Sequence, residues 1–282
     1  MARSVSRALA ILFAVRAAGR PLGLAELAAD VDLDKATLLR LLGDLIERDL
    51  IRLDGHAKLY NLGFGLVELA AGLWQGADGL GPIRPLVAAL NDETQHTVGF
   101  DVRAGLDHLT LVAYEGLLAV KASYRVGARA PLHSGAAGQA ILAHSSVSVR
   151  EAIFGSALQA LTSRTIVDVD DLRDRLSEVR RLGYAATKGE RIEGLIGIAA
   201  PVFDADGLAV GALVVVAPES RSGDGLVQLG RHIPSLKRRA EQASALISTM
   251  GLRGYGLADE PRASALIHEP STAGTPEAAL DG

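Results

Sequence analysis

Apolar residues near the start of the chain recur at helical spacing twice, with a short interruption between. Leu24, Leu27 and Ala28 share one face of a helix predicted over Leu24 to Asp30, and Leu38, Leu41, Leu42 and Leu45 share one face of a second. Val31-Asp32-Leu33-Asp34 breaks the period. Asp34 stands where a carboxylate accepts the free N–H groups of the second helix's first turn. Upstream, Leu9, Leu12, Phe13 and Ala17 follow the same spacing across a first helix at 4–18. Downstream the period drops to two. Ile51 and Leu53 alternate with Arg52 and Asp54, Ala57 and Leu59 with Lys58 and Tyr60, and Asp54-Gly55 predicts a two-residue hairpin turn. Two short helices joined by a tight turn, then a hairpin, is the layout of a helix-turn-helix with a wing. In that layout the start of the second helix reaches base edges. Here those residues are Lys35, Ala36, Thr37 and Arg40, and the hairpin tip carries His56 and Lys58 toward a phosphate backbone. The same elements also occur in protein–protein modules, where Lys35, Thr37 and Arg40 are an ordinary solvated face.

Beyond the hairpin, Leu66, Leu69, Ala70 and Leu73 form a stripe on a connecting helix at 64–80, beside the single tryptophan, Trp74. An apolar stripe on such a linker predicts pairing with a second copy; the alternative is a helix packed back on its own domain. Pro85 opens a helix carrying Leu86, Val87 and Leu90. Strand-like runs follow at Thr97–Val102, His108–Tyr114 and Leu118–Tyr124, then a helix from Gly135 to His144. Leu172, Leu176, Val179 and Leu182 define an amphipathic helix over 170–182 with Gly183 as its stop. Leu195–Phe203 and Ala209–Ala217 are strongly apolar strands joined by Asp204-Ala205-Asp206-Gly207, and Leu226 to Met250 is a final helix. The expected class is α+β, with domains at 1–63 and 81–250 on either side of the 64–80 linker, and a disordered tail at 251–282.

Charge qualifies the DNA reading. Residues 1–63 hold nine Lys and Arg against eight Asp and Glu, an excess of one, so phosphate affinity has to come from locally placed cations. The 282-residue chain contains no cysteine, which excludes disulfides and thiolate metal sites and predicts a cytoplasmic protein. No apolar run reaches the roughly 18 residues of a membrane span. Arg16 and Arg20 interrupt the opening apolar stretch, so it is expected to be an amphipathic helix and not a targeting segment.

An enzyme is the rival class. His56, His96, His108, His133, His144, His232 and His268 form no HxxxH or HExxH pair, and the phosphate-cradling glycine loops and the GxSxG elbow are missing. Ser134 beside His133 makes no triad by itself. No cofactor, metal or catalytic residue is expected. A third possibility is a ligand-binding scaffold with no specific DNA function.

Four segments carry a resemblance over about residues 4–250: SVSRALAIL, DKATLLRLLGDLIERDLI followed by LYNLG, VGARAPLHSGAAGQAILA, and LGYAATKGERIEGLIGIAAPVFDADG. In this order and spacing the chain resembles IclR-type transcriptional regulators. The resemblance implies a winged helix-turn-helix joined by a helix to a GAF-like effector-binding domain. It implies a homodimer or homotetramer on a double-stranded operator, modulated by a small organic acid or aromatic metabolite. Carried over residue by residue, the DNA-reading set is Lys35, Ala36, Thr37 and Arg40, with Lys58 and Tyr60 on the wing. Ala36 replaces a serine common in the family. Asp49 stands where a glycine of positive φ is usual, a conformation Asp tolerates better than most residues. The implied effector pocket lies between the sheet and 135–143. It uses the backbone N–H groups of Ala136 and Ala137, with Thr187, Glu190, Leu195, Gly197, Val214 and Val216. The two valines replace frequent hydroxyl residues and Gln139 replaces a common lysine, which predicts a more apolar ligand.

Overall fold

The computed structural model describes residues 3–72, 74, 81–118, 121–219 and 225–250. Parts of three expectations lie outside these residues: positions 73 and 75–80 of the linker, 119–120 of the strand at Leu118–Tyr124, and the tail at 251–282. The described residues fall into two compact units, 3–72 with Trp74 and 81–250. Among them no helix is long and apolar enough to cross a membrane.

The first unit contains α1 (Arg3–Ala18), β1 (Leu22–Gly23), α2 (Leu24–Asp30), α3 (Lys35–Glu47), β2 (Ile51–Asp54), β3 (Leu59–Leu62) and α4 (Gly65–Ala71). Leu38, Leu41, Leu42 and Leu45 of α3 are all buried, together with Leu27, Leu22 and Ile51. α1 turns a different stripe inward from the one its spacing suggests. Ile11 and Val15 are buried, while Leu9 and Phe13 are 44% and 37% exposed.

The hairpin differs from expectation as well. Residues 55–58 form a four-residue loop, with Asp54 paired to Leu59 across the ladder. The Asp54 side chain accepts the His56 and Ala57 N–H groups at 2.9 and 3.0 Å, an Asx turn that lengthens the loop. Lys58 closes it at φ 56°. A loop two residues longer keeps the facing of the return strand, and the register sets Tyr60 opposite Leu53 and Leu22. Tyr60 faces inward, 6% exposed and packed in the core.

At the exit of the wing, Asp49 adopts φ 49°. Its carbonyl accepts the Gly65 N–H at 2.8 Å and its carboxylate the Phe64 N–H at 3.2 Å. The chain passes so close here that a Cβ on Gly63 would lie 1.9 Å from the Asp49 oxygen. The start of α4 is thus bonded to the residue that ends the recognition-helix region. Phe64, Val67 and Leu69 are exposed apolar residues around it.

The second unit is built on a six-stranded antiparallel sheet. Its strands are β4 (Thr97–Ala104), β5 (Asp107–Tyr114), β6 (Arg129–Pro131), β7 (Ala185–Lys188), β8 (Leu195–Phe203) and β9 (Ala209–Pro218), in the order β6-β5-β4-β9-β8-β7. The residues described between Leu118 and Tyr124 are not a strand. One face carries α6 (Gly135–Ala143), α7 (Val147–Phe154) and α8 (Val169–Leu182). The other carries α5 (Ile83–Thr94) and α10 (Ile233–Met250), packed on each other and on the sheet. β9, central and covered on both faces, is buried from Ala209 through Ala217, so it reads as an unbroken apolar run.

Chain punctuation follows local chemistry. Asp168 caps α8 by accepting from Asp170 and Asp171 N–H, and Gly183 ends it at φ 73°. The expected final helix is two, α9 (Gly225–Gly230) and α10. Pro234 forces the break, since its ring would collide with the carbonyl of Gly230 in a continuous helix.

Candidate nucleic-acid interface and ligand pocket

In the first unit, the start of α3 is a charged, solvated helix end. The Thr37 N–H donates to Asp34 Oδ1 at 2.9 Å, so the first turn is capped. That bond holds the Asp34 carboxyl below its ordinary range. Lys35, Ala36 and Arg40 are exposed and Thr37 is half-buried at the first turns of α3, with Ala36 and Arg40 on the side away from its buried leucines. The Arg40 guanidinium lies 4.0 Å from Asp44, with both side chains more than half exposed, a pairing too weak to restrain it. Arg7 of α1 adds a cation near Asp34, which the sequence reading passed over. On the hairpin, Lys58 and His56 are exposed at the tip, and the Arg52 guanidinium sits 4.2 Å over the Phe64 ring. Tyr60 does not join this surface; its ring supports the hairpin from inside.

In the second unit, strand register brings Thr187, Gly197 and Val216 into one cross-strand row, and Ala199, Val214 and Gly99 into the next. α6 lies over these rows. Its residues are small: a Cβ on Gly138 would come 2.6 Å from the Leu132 carbonyl oxygen, just before the helix, and 3.2 Å from the His108 ring of β5. Between them is a cavity of about 50 Å³, several times what one water occupies on that measure (~10–15 Å³). Ala136, Ala137, Thr187, Glu190, Leu195, Gly197, Val214 and Val216 all line it.

α6 begins with Gly135 at φ 72°. Ser134 occupies the cap position, but its Oγ donates to the Pro131 carbonyl at 3.0 Å and makes no bond to the helix. The amides of the first turn are left for another acceptor. Glu190 beside them is a buried carboxylate. Burial raises its pKa, against the Arg175 guanidinium at 3.1 Å and the Gln139 amide at 2.5 Å.

Six lining residues were not named as such from sequence: His108, Tyr124, Gly135, Arg191, Ile192 and Ile196. His108 Nδ1 lies 2.6 Å from Asp101 Oδ2, and Tyr124 OH donates to the same oxygen at 2.6 Å. Burial opposes a charge on Asp101, yet His108 and Tyr124 hold its carboxyl below the ordinary value. Burial and the Asp101 charge push the Tyr124 phenol far up, so it is a permanent donor here. The one available signal was in HLTLVAY, where the inward residues are His108, Thr110 and Val112. A polar residue on the more buried face of a strand departs from ordinary core composition. His133 and Ser134 do not face each other: His133 Nε2 is 2.9 Å from the Gln159 carbonyl oxygen. Among the described residues no cluster of three potential metal ligands occurs.

A winged helix-turn-helix in one unit and a mixed helix-and-sheet domain with a pocket between sheet and helix in the other define a two-domain transcriptional regulator. The chain belongs to the IclR family: residues 4–55 match the IclR helix-turn-helix domain, and residues 80–245 match the bacterial transcriptional regulator IclR C-terminal domain. The HTH-type transcriptional repressor AllR of Escherichia coli K12 is 28% identical over 247 residues, covering 87% of this chain and 91% of that protein. A crystal structure described as an IclR transcriptional regulator from Silicibacter sp. TM1040 superposes with TM-score 0.71 at 29% identity, covering 88% of this chain and 96% of that one. An IclR homolog from Microbacterium hydrocarbonoxydans, crystallised with 4-hydroxybenzoate, shares the fold at TM-score 0.71 and 23% identity, over 89% and 99% of the two chains.

Proposed function

We propose that the protein binds operator DNA with Lys35, Ala36, Thr37 and Arg40 at base edges and Lys58 at phosphates, and that a small organic acid in the 136–216 pocket modulates that binding. Residues 1–63 form the DNA-binding domain, 81–250 the effector domain, and 64–80 join them. The protein acts in the cytoplasm as a homodimer or homotetramer. The exposed Phe64, Val67 and Leu69 around α4 support self-association. Two recognition helices then meet half-sites roughly 34 Å apart or a multiple of it.

The observation that carries the ligand reading is the uncapped start of α6 opening into a cavity with an apolar floor. A carboxylate satisfies the Ala136 and Ala137 amides. Val214 and Val216 offer no hydrogen bond, so the part of the ligand that lies over them is apolar. The size of the cavity favours a short acid; an aromatic one needs the 190–194 segment to give way. Ligand shifts the DNA-binding equilibrium only through different affinities for the two states, typically ~1–3 kcal/mol of coupling. The protein is a regulator and not an enzyme in this reading, since Ser134 and His133 are each bonded elsewhere.

Fluorescence anisotropy tests both halves. The purified chain is titrated against DNA from upstream of its own and neighbouring genes, with a random-sequence control and a salt series. Binding that exceeds the control at physiological salt, and that shifts when short carboxylic acids are added, is expected. Binding equal to the control that vanishes with modest salt would leave a ligand-binding scaffold without an operator.

A further inference from the structure

Asp101 and His108 face each other on the α6 side of the sheet, 0% and 1% exposed. Such a pair in an apolar interior costs stability unless each polar atom has a partner, and well-packed apolar residues would serve the fold as well or better. Two atoms of this pair have none among the described residues: Asp101 Oδ1 and His108 Nε2. The rest of the network is engaged. Asp101 Oδ2 meets His108 Nδ1 and Tyr124 OH, and Arg191 Nη1 donates to the tyrosine oxygen at 3.3 Å while its guanidinium lies 5.3 Å over the ring. His108 lines the cavity. Its ring is fixed on two sides, by the carboxylate at Nδ1 and by α6, where a Cβ on Gly138 would come within 3.2 Å of Cδ2.

We infer that the effector carries a hydroxyl group, that His108 Nε2 reads it, and that Asp101 is the positioning residue that fixes the imidazole. With Nδ1 given to Asp101, Nε2 presents a lone pair when the ring is neutral and an N–H when it is charged. A hydroxyl satisfies either, because it both donates and accepts. A hydrocarbon satisfies neither and leaves a buried nitrogen unpaired. This rests on the proposed binding of an acid in the same pocket and narrows the class to a small hydroxy acid. Its carboxylate lies at the start of α6, and its hydroxyl lies beneath Gly138, one helical turn along.

The test is calorimetry on the full chain with matched acids differing by one hydroxyl: lactate and propionate, 3-hydroxybutyrate and butyrate, mandelate and phenylacetate. A site built around a buried polar atom rejects the analogue that lacks its partner. The hydroxy acid of at least one pair is expected to bind at least roughly tenfold more tightly than its parent. The ¹⁵N signal of His108 Nε2 should move with the hydroxy acid and not with the parent acid. In His108→Leu the two members should converge to within about twofold, and Asp101→Asn should lose part of the discrimination. If His108→Leu fails to fold, the paired affinities and the ¹⁵N shift in the unaltered protein decide the matter. Equal binding within every pair overturns the hydroxyl reading and leaves the acid pocket standing. Binding of no acid at all overturns both, and discrimination that survives His108→Leu removes His108 from the role.

Discussion

α3 and α6 both offer the positive end of a helix, and they do so in opposite ways. α3 begins in solvent, is closed by its own Asp34, and carries its cations on Lys35 and Arg40. α6 begins in the interior with all nine residues buried, has no charged side chain, and its Ser134 turns away to the Pro131 carbonyl. The difference fits the ligands proposed for the two ends. A polyanion is reached by long side chains over a broad surface, so a capped helix loses nothing. A single small anion is reached by backbone amides, and a built-in cap would stand in its place. Helix dipole and free amides alone therefore do not say which kind of ligand a helix end serves; cap and burial do.

The largest effect that breaks this comparison is expected at Gly138. Alanine there pushes a Cβ to 2.6 Å from the Leu132 backbone oxygen, and α6 has to shift against the 132–134 segment that leads into it. Overpacking of this kind is expected to cost about 2–3 kcal/mol, read as a lower urea midpoint for the second unit. An unchanged midpoint would mean that α6 has room the packing denies. Next comes Arg40→Ala, expected to weaken operator binding roughly tenfold or more and to leave acid binding unchanged. Equal DNA affinity in that variant would remove Arg40 from the interface. A smaller effect is expected from Asp34→Ala. It uncaps α3 and should lower the melting temperature of the first unit by a few degrees. An unchanged melting curve would show that the cap is dispensable, and with it the contrast between the two helix ends.

The same contrast explains what the sequence made legible. α3 announces itself, because one buried stripe and one solvated face give a clear helical period and Asp34 marks its start. The positive φ of Asp49 was expected through the resemblance, which puts a glycine there, and Asp tolerates that conformation better than most residues. α6 gives no such period, since it is buried all round and made of Gly, Ala and a few aliphatics. A helix at Gly135 to His144 was still expected, but the eight lining residues named from sequence came through family resemblance and not from spacing. The failures also have physical causes. Tyr60 was assigned to the wing surface through the resemblance, whereas the register sets it opposite Leu53 and Leu22 with its ring in the core. Tyr124 was assigned to a strand by composition, but its ring instead lies over Gly99, where a Cβ would meet it at 2.6 Å. His108 went unnoticed because alternation favours Leu109 and Leu111 as the inner face of β5, whereas the more buried face is the polar one.

The smallest effect sharpens the pocket side of the comparison. Val214 lies between Ala199 and Gly99 in the floor, 2% exposed and lining the cavity. Threonine keeps the branched shape but exchanges one methyl for a hydroxyl, so it is not a neutral apolar swap. If the floor is apolar because the ligand is apolar there, Val214→Thr should reduce affinity for phenylacetate or butyrate by about two- to fivefold. It should also improve relative binding of a keto acid such as pyruvate, by the worth of about one hydrogen bond. An unchanged ratio of those affinities would make Val214 a packing residue beneath the site. The specificity of the pocket would then rest on its walls, where Thr187, Glu190 and Arg191 offer the polar atoms that the floor lacks.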